Sequence, residues 1–271
     1  MNNTFNFNRF GLLLKRQWLD FGRIYLISLL VVVGAMIGFY YYNMPSPHSD
    51  HNFDYEGNID MRFRYPIYLI LGFLFISIVA SSYFSILGEK SRAILEMMTP
   101  ASNFEKFLCG VFYTTLVSFI SYLIIFYFVD ISFVKYINAH LSEYKSSNPK
   151  VESLKAVESM FTQLIDEKKY LEYSFAFFCF PFLITSIYLL GSAYFKKFHY
   201  IKTTVVVMVF SAISVFTIFK TADLLTRNMY RHNMQDIANK NNLILAFCLL
   251  TLLVTVIFWL ITYVRLKEKE V

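Results

Sequence analysis

The chain has 271 residues, of which 56% are hydrophobic and 16% charged, and its formal net charge is +6. Soluble domains carry about 25% charged residues, so this composition argues against a soluble globular protein. The cations form no single stripe with interleaved stacking residues, so the positive charge gives no support to nucleic-acid binding.

The N-terminal segment, residues 1–23, predicts an amphipathic helix that lies in the membrane interface. At 100° per residue, one face collects Phe7, Phe10, Leu14, Trp18 and Phe21, and the opposite face collects Arg9, Arg16 and Asp20. This arrangement suits a helix in the headgroup plane with Trp18 as its anchor. The alternative interpretation is a plain cytoplasmic tail.

Six apolar runs follow, each near the ~20 residues that cross the hydrocarbon of a bilayer. They cover about residues 24–42, 66–87, 107–129, 174–195, 203–219 and 243–264, and they contain no Asp, Glu, Lys, Arg or His. Lipid cannot satisfy backbone polar groups, so each run must be helical. The predicted fold class is therefore all-α, a polytopic membrane protein with a six-helix transmembrane domain over residues 24–264.

Few side chains inside these runs carry chemistry. Gly34 and Gly38 form a GxxxG pattern, which permits close contact between helices. Cys109, Cys179 and Cys248 have neither CxxC spacing nor a matching His cluster, so they are interpreted as buried apolar residues.

The distribution of Lys and Arg predicts the orientation. Six spans put both termini on one side, where residues 1–23, 88–106, 196–202 and 265–271 hold 13 of the 25 cations in 56 residues. The remaining 12 cations are spread over the longer segments of the other side. By the positive-inside rule, the termini and the tail 265–271 are expected to be cytoplasmic.

Two outer segments are candidates for structure. Residues 43–65 contain His48, Asp50, His51 and Asp54, but their Pro-rich setting favours a solvated loop over a metal site. Residues 130–173 predict a helical outer loop, since Val151, Leu154, Val157, Phe161, Leu164 and Ile165 fall near helical spacing. We expect that helix to pack on the bundle or on another subunit.

The stretch 88–107, GEKSRAILEMMTPASNFEKF, is a polar interruption between the second and third spans. Its apolar residues are Ile94, Leu95, Met97 and Met98, and its flanking charges are Glu89, Lys90, Arg92 and Glu96. Pro100 disfavours helix at Thr99, and Ser102 or Asn103 can cap the next helix, with Glu105 in its first turn. Such a piece suits either a socket on a cytoplasmic partner or a hairpin against the membrane surface.

The sequence shows no pattern that would make the chain an enzyme. The phosphate-binding GxxxxGK[ST], the GxSxG and the HExxH patterns are all absent, as is an ionisable coupling group within the six runs. We therefore expect no catalytic, cofactor or metal residues on this chain. Active transport would need energy from another chain.

The segment EKSRAILEMMTPASNFEKFLCG resembles the loop between the second and third spans in membrane subunits of the second class of ABC exporters. The matching positions are Leu95, Glu96, Met97, Met98, Pro100, Ser102, Glu105 and Phe107. The six-span layout and the amphipathic N-terminal helix are similar as well. Two departures stand out: Met97-Met98 replaces the usual leucines, and Ser91-Arg92-Ala93 stands where the family has a glycine.

The resemblance implies a half-transporter of a bacterial inner membrane that pairs with a second transmembrane subunit, as a homo- or heterodimer. A separate ATPase subunit would bind ATP and magnesium and dock on residues 88–107. The expected contacts with it are Glu89, Arg92, Ile94, Leu95, Glu96, Met97, Met98 and Pro100. The alternative function is a non-transporting membrane scaffold or regulator that recruits a cytoplasmic partner through the same loop.

Overall fold

A computed structural model describes residues 5–45, 59–85, 98–147, 156–162, 168–228 and 240–269 of the chain. Within these residues the regular structure is helical. The long helices are α1 (Phe7–Asn43), α2 (Arg64–Tyr83), α3 (Asn103–Ala139), α5 (Lys168–Tyr194), α6 (His199–Asn228) and α7 (Lys240–Lys269), and the short α4 is Leu141–Ser147.

The all-helical class is confirmed, and so is the membrane character. Five helical segments are long and apolar enough to cross a bilayer: Phe7–Asn43, Arg64–Tyr83, Asn103–Ala139, His199–Thr221 and Cys248–Glu268. A further apolar stretch in α5, Cys179–Tyr194, is shorter than the span length. The six-span count therefore stays a prediction, whereas five candidate spans are found in the described part of the chain.

The helices alternate in direction, which gives the bundle two ends. We name them after two buried carboxylates. The Glu105 end holds the starts of α1, α3 and α6 and the ends of α2, α5 and α7. The Asp130 end holds the opposite termini of these helices.

Packing centres on α5, which lies against both α2 and α7, and on α1, which lies against α2 and α3. The core is aromatic: the rings of Tyr68 and Phe126 lie 4.8 Å apart and those of Phe75 and Tyr122 6.2 Å apart. Gly72 allows this approach, because a Cβ there would lie 2.7 Å from the Tyr122 ring. Close helix contact in this bundle thus depends on a glycine opposite an aromatic ring.

The N-terminal segment differs from the expectation of a separate interfacial helix over residues 1–23. Helix α1 runs without interruption from Phe7 to Asn43, so the predicted boundary near residue 23 is absent. No proline breaks this stretch, and Gly22 is buried beneath the ring of Trp18 instead of ending the helix. One helix therefore joins the predicted cytoplasmic segment to the first span.

The GxxxG pattern makes no helix contact with the described part of the chain. Gly34 and Gly38 lie on the exposed side of α1, and a Cβ at either position would have nothing within 4 Å. The buried side of this part of α1 carries Val32, Met36 and Tyr40 instead. The two glycines therefore take no part in the helix packing that the structure describes.

The outer segment 130–173 is only partly helical where it is described. Residues 130–139 extend α3, α4 follows, and residues 168–173 begin α5. Residues 156–159 are not helical, so the predicted continuous outer helix is wrong at these positions. Their backbone groups bond to side chains of α2 and α3, and these bonds replace the i to i−4 helix bonds.

Candidate functional site

At the Glu105 end, Ser102 begins α3 with a capping box. The Glu105 backbone N–H donates to Ser102 Oγ over 3.3 Å, and the Ser102 N–H donates to Glu105 Oε2 over 2.9 Å. Thr99 and Pro100 precede the cap in non-helical backbone. Thr99 and Pro100 are non-helical as predicted, and the predicted cap at Ser102 is confirmed; the helix predicted before them lies outside the described residues.

Glu105 also binds the start of α1. Its side chain is fully buried and accepts from Arg9 Nη2 over 2.7 Å and from Arg9 Nε over 2.8 Å. The backbone N–H of Asn6 donates to the same carboxylate over 2.9 Å. Buried carboxylates persist when their oxygens are paired and hydrogen-bonded, and here two parallel N–H···O bonds from a guanidinium meet that condition.

Two further contacts join the N-terminal region, residues 5–16, to the start of α3 and to the segment before it. Arg16 Nη1 donates a hydrogen bond to Thr99 Oγ1. The Phe5 and Phe104 rings lie 6.2 Å apart, and Phe104 in turn lies 6.1 Å from the ring of Tyr263 in α7. The N-terminal part of α1, the start of α3 and the end of α7 therefore meet at one junction, which we call the Glu105 junction.

The predicted interfacial residues have several partners at this end. Phe10 and Leu14 are half-buried against the core, and Arg16 pairs with both Thr99 and Asp20. Trp18 is 40% exposed and stacks on Tyr113 with ring centroids 6.1 Å apart. The side of α1 predicted to face lipid therefore also packs against protein.

Of the predicted docking residues, the described ones lie next to the Glu105 junction. Met98 is 74% exposed, and Pro100 is exposed as well. The other six fall outside the described residues: Glu89, Arg92, Ile94, Leu95, Glu96 and Met97. The Glu105 junction thus fixes the α3 end of the loop and leaves a methionine open to solvent beside it.

Just beyond this junction, α3 contains a π-helical segment, Phe112–Val117. It buries Thr114 and Thr115, and Tyr113 donates from its hydroxyl to the Leu14 carbonyl over 2.9 Å. Single π-helical turns inside α-helices are rare and often mark functional positions. The segment therefore links the Glu105 junction directly to the middle of α3.

The Asp130 end holds a second buried ion pair that the sequence did not predict. Asp130 and Arg64 are 0% and 1% exposed in their side chains, and Arg64 Nη1 lies 3.3 Å from Asp130 Oδ1. Tyr40 donates to Asp130 Oδ1 over 2.9 Å, and the Met160 N–H donates to Oδ2 over 2.8 Å. Residues from α1, α2, α3 and the segment 156–162 thus converge on one carboxylate.

Nearby, Tyr144 of α4 closes the same end of the bundle. Its hydroxyl donates to the Pro45 carbonyl over 2.7 Å, and its ring is buried with Ile59, Met61 and Ile137. Burial raises the pKa of the Tyr144 phenol. This phenol therefore stays neutral and acts as a donor.

The described residues contain no group of three or more His, Cys, Asp or Glu that could hold a metal ion. The loop residues His48, Asp50, His51 and Asp54 lie outside this part of the chain. Comparison with known protein families, curated proteins and solved structures finds no match to this chain. The ABC exporter resemblance of residues 89–110 therefore stays a prediction from the sequence pattern.

Proposed function

We propose that this chain is the transmembrane subunit of an ATP-driven ABC transporter, an exporter, and that a separate ATPase docks on residues 88–107. The observation that carries the proposal is the Glu105 junction. A force applied to the loop would reach α1 and α3 together, because Glu105 binds Arg9 and Asn6 while it caps α3.

The chemistry divides between chains in this proposal. The ATPase subunit binds ATP and magnesium, and this chain supplies the membrane path and the docking loop. Both termini and the Glu105 end lie in the cytoplasm of a bacterial cell. A conformational equilibrium responds to a partner only through contacts that differ between its states, and residues 88–107 are where those contacts form.

A second transmembrane subunit completes the transporter. The exposed side of α1 and the length of α6 supply apolar surface for it, including Ile27, Val31, Phe210 and Phe216. Gly34 and Gly38 lie on that side of α1, where small residues allow backbones to approach closely. Lipid covers the rest of the apolar surface.

The decisive experiment is co-purification with an ATPase that carries the GxxxxGK[ST] pattern and is encoded by a neighbouring reading frame; finding such a frame is the first step. Replacing both Leu95 and Met98 by Asp puts charge on the apolar contact, and we expect the complex to be lost. The matched control is Phe198→Asp, which removes a 70% exposed aromatic residue from the other connection at the same end. Phe198 has a φ of 53°, a conformation that Asp tolerates, so this control should keep the complex.

The outcomes separate the proposal from a membrane scaffold. If the Leu95/Met98 variant still binds the ATPase, the docking assignment is wrong. If the native loop captures a purified cytoplasmic partner that hydrolyses no ATP, the scaffold function replaces the transporter. In reconstituted vesicles, the transporter function predicts less ATP hydrolysis with the Leu95/Met98 variant than with the native loop.

A further inference from the structure

A short segment at the Asp130 end, residues 156–162, lies across α2 and α3 and is named the cap here. Its first four residues have no helix or strand of their own. Buried backbone groups need partners, and those of a non-regular segment must come from elsewhere in the protein. In the cap, side chains of α2 and α3 supply them.

Three polar side chains hold the cap backbone. Asn138 both donates to the Val157 carbonyl and accepts from the Val157 N–H, each over 2.9 Å. Arg64 Nη1 donates to the Glu158 carbonyl over 2.9 Å. Asp130 Oδ2 accepts from the Met160 N–H over 2.8 Å. The attachment therefore depends on a few long-range side-chain bonds.

Apolar contacts follow directly after these bonds. Met160 is 1% exposed, and the Phe161 ring lies 5.9 Å from Phe126 and 6.2 Å from Tyr68. The cap thus inserts two apolar side chains between the ends of α2 and α3. Ala156 and Glu158, by contrast, are exposed on its outer surface.

We propose that the cap is a lid that opens as a unit, and that the Asp130 carboxylate is its latch. Asp130 bonds at once to α1 through Tyr40, to α2 through Arg64 and to the cap through Met160. If Asp130 loses its charge, the buried Arg64 cation has no counter-charge from Asp130, and the cap loses its most buried attachment. The lid is independent of the transport function proposed above.

Thiol reactivity of the purified full-length chain in lipid nanodiscs tests the lid. The reporter is Met160→Cys, which keeps the backbone N–H that donates to Asp130. The matched control is Ala156→Cys, on the exposed surface of the same segment. The probe is a hydrophilic maleimide, which reaches both faces of a nanodisc, so the orientation of the chain does not matter.

With the native latch, the Met160→Cys thiol should react slowly and the Ala156→Cys thiol rapidly. Adding Asp130→Asn should speed the Met160→Cys reaction about tenfold or more and leave the Ala156→Cys rate unchanged. Tyr40→Phe removes one donor from the latch and should give a smaller increase, about threefold. If the Asn variant does not fold, the Tyr40→Phe variant still carries the test.

Three results would overturn the proposal. The cap is no lid if Met160→Cys reacts as fast as Ala156→Cys with the native latch. Asp130 is no latch if neither latch variant changes the Met160→Cys rate. The native thiols Cys109, Cys179 and Cys248 are all buried, so their reactivity reports opening of the bundle. If they accelerate in parallel, the whole bundle opens and the cap is not a separate unit.

Discussion

The two ends of the bundle are each built around a buried carboxylate paired with an arginine, yet the two pairs differ in access to water. At the Asp130 end, Arg64 is 1% exposed in its side chain, and four segments enclose the pair. At the Glu105 end, the Arg9 side chain is 31% exposed, and Met98 lies open nearby. The Asp130 pair is enclosed by protein while the cap is in place, whereas the Glu105 pair lies beside an exposed surface.

The difference follows from where each carboxylate lies in its helix. Glu105 occupies the first turn of α3, where free backbone N–H groups and the helix dipole favour a negative charge. Asp130 lies well inside α3, where the helix offers it no free N–H group, so its donors must come from other segments. Asp130 accordingly accepts from three other segments, whereas Glu105 accepts from the start of α1 and from its own N-cap residue Ser102.

The largest effect should come from Arg64→Met, which leaves Asp130 buried without its counter-charge. Breaking a buried ion pair at one partner costs roughly 3–5 kcal/mol, so the thermal midpoint of the purified protein should fall sharply. The double variant Arg64→Met with Asp130→Leu removes both charges and should recover much of that loss. A double variant no more stable than the single one would show that the pair itself is required.

Next in size is Glu105→Gln, which keeps the shape of the side chain and removes its charge. The Ser102 cap can still accept from the residue 105 N–H, whereas the ion pair with Arg9 is lost. We expect a smaller drop in thermal midpoint than for Arg64→Met, together with faster proteolysis of the N-terminal part of α1. A drop as large as that of Arg64→Met would show that the two ion pairs contribute equally to stability.

A smaller effect is expected from Ser102→Ala, which removes only the capping-box bond from the Glu105 N–H to Ser102 Oγ. Loss of an N-cap costs about 1 kcal/mol. The matched control is Ser132→Ala, because Ser132 is exposed and its hydroxyl donates to the carbonyl of Phe128 in its own helix. The two midpoints, compared in one detergent, should fall for Ser102→Ala and stay unchanged for the control.

Local signals predicted local structure well here. The Ser102 cap, the break at Thr99–Pro100 and the helical spans follow from residues close together in the sequence. The partners of the two carboxylates could not be predicted in this way, because Arg9 lies 96 positions from Glu105 and Arg64 lies 66 positions from Asp130. Asp130 also comes directly after an apolar run, so by pattern alone it belongs to a loop.

Residues 156–162, the cap defined above, also show the limit of local sequence signals, because here a local signal predicted the wrong structure. The spacing of Val157 and Phe161 predicts a helix, and both residues do face the core. The backbone of this segment nevertheless bonds to side chains on α2 and α3: Val157 to Asn138, Glu158 to Arg64 and Met160 to Asp130. Tertiary hydrogen bonds replace the helix that the apolar periodicity predicts. No sequence feature within ten residues of the cap predicts these bonds.

The smallest effect within the chain should come from Gly34→Ile combined with Gly38→Ile. No described residue lies within 4 Å of a Cβ at either glycine, so the thermal midpoint of the monomer should change little. If a second transmembrane subunit covers this side of α1, the same change blocks close approach and should abolish pairing. Chemical cross-linking in membranes measures the pairing, with Val31→Ile, on the same exposed side of α1, as the matched control. Unchanged cross-linking would move the pairing surface away from α1, and α6 would then be the face to test.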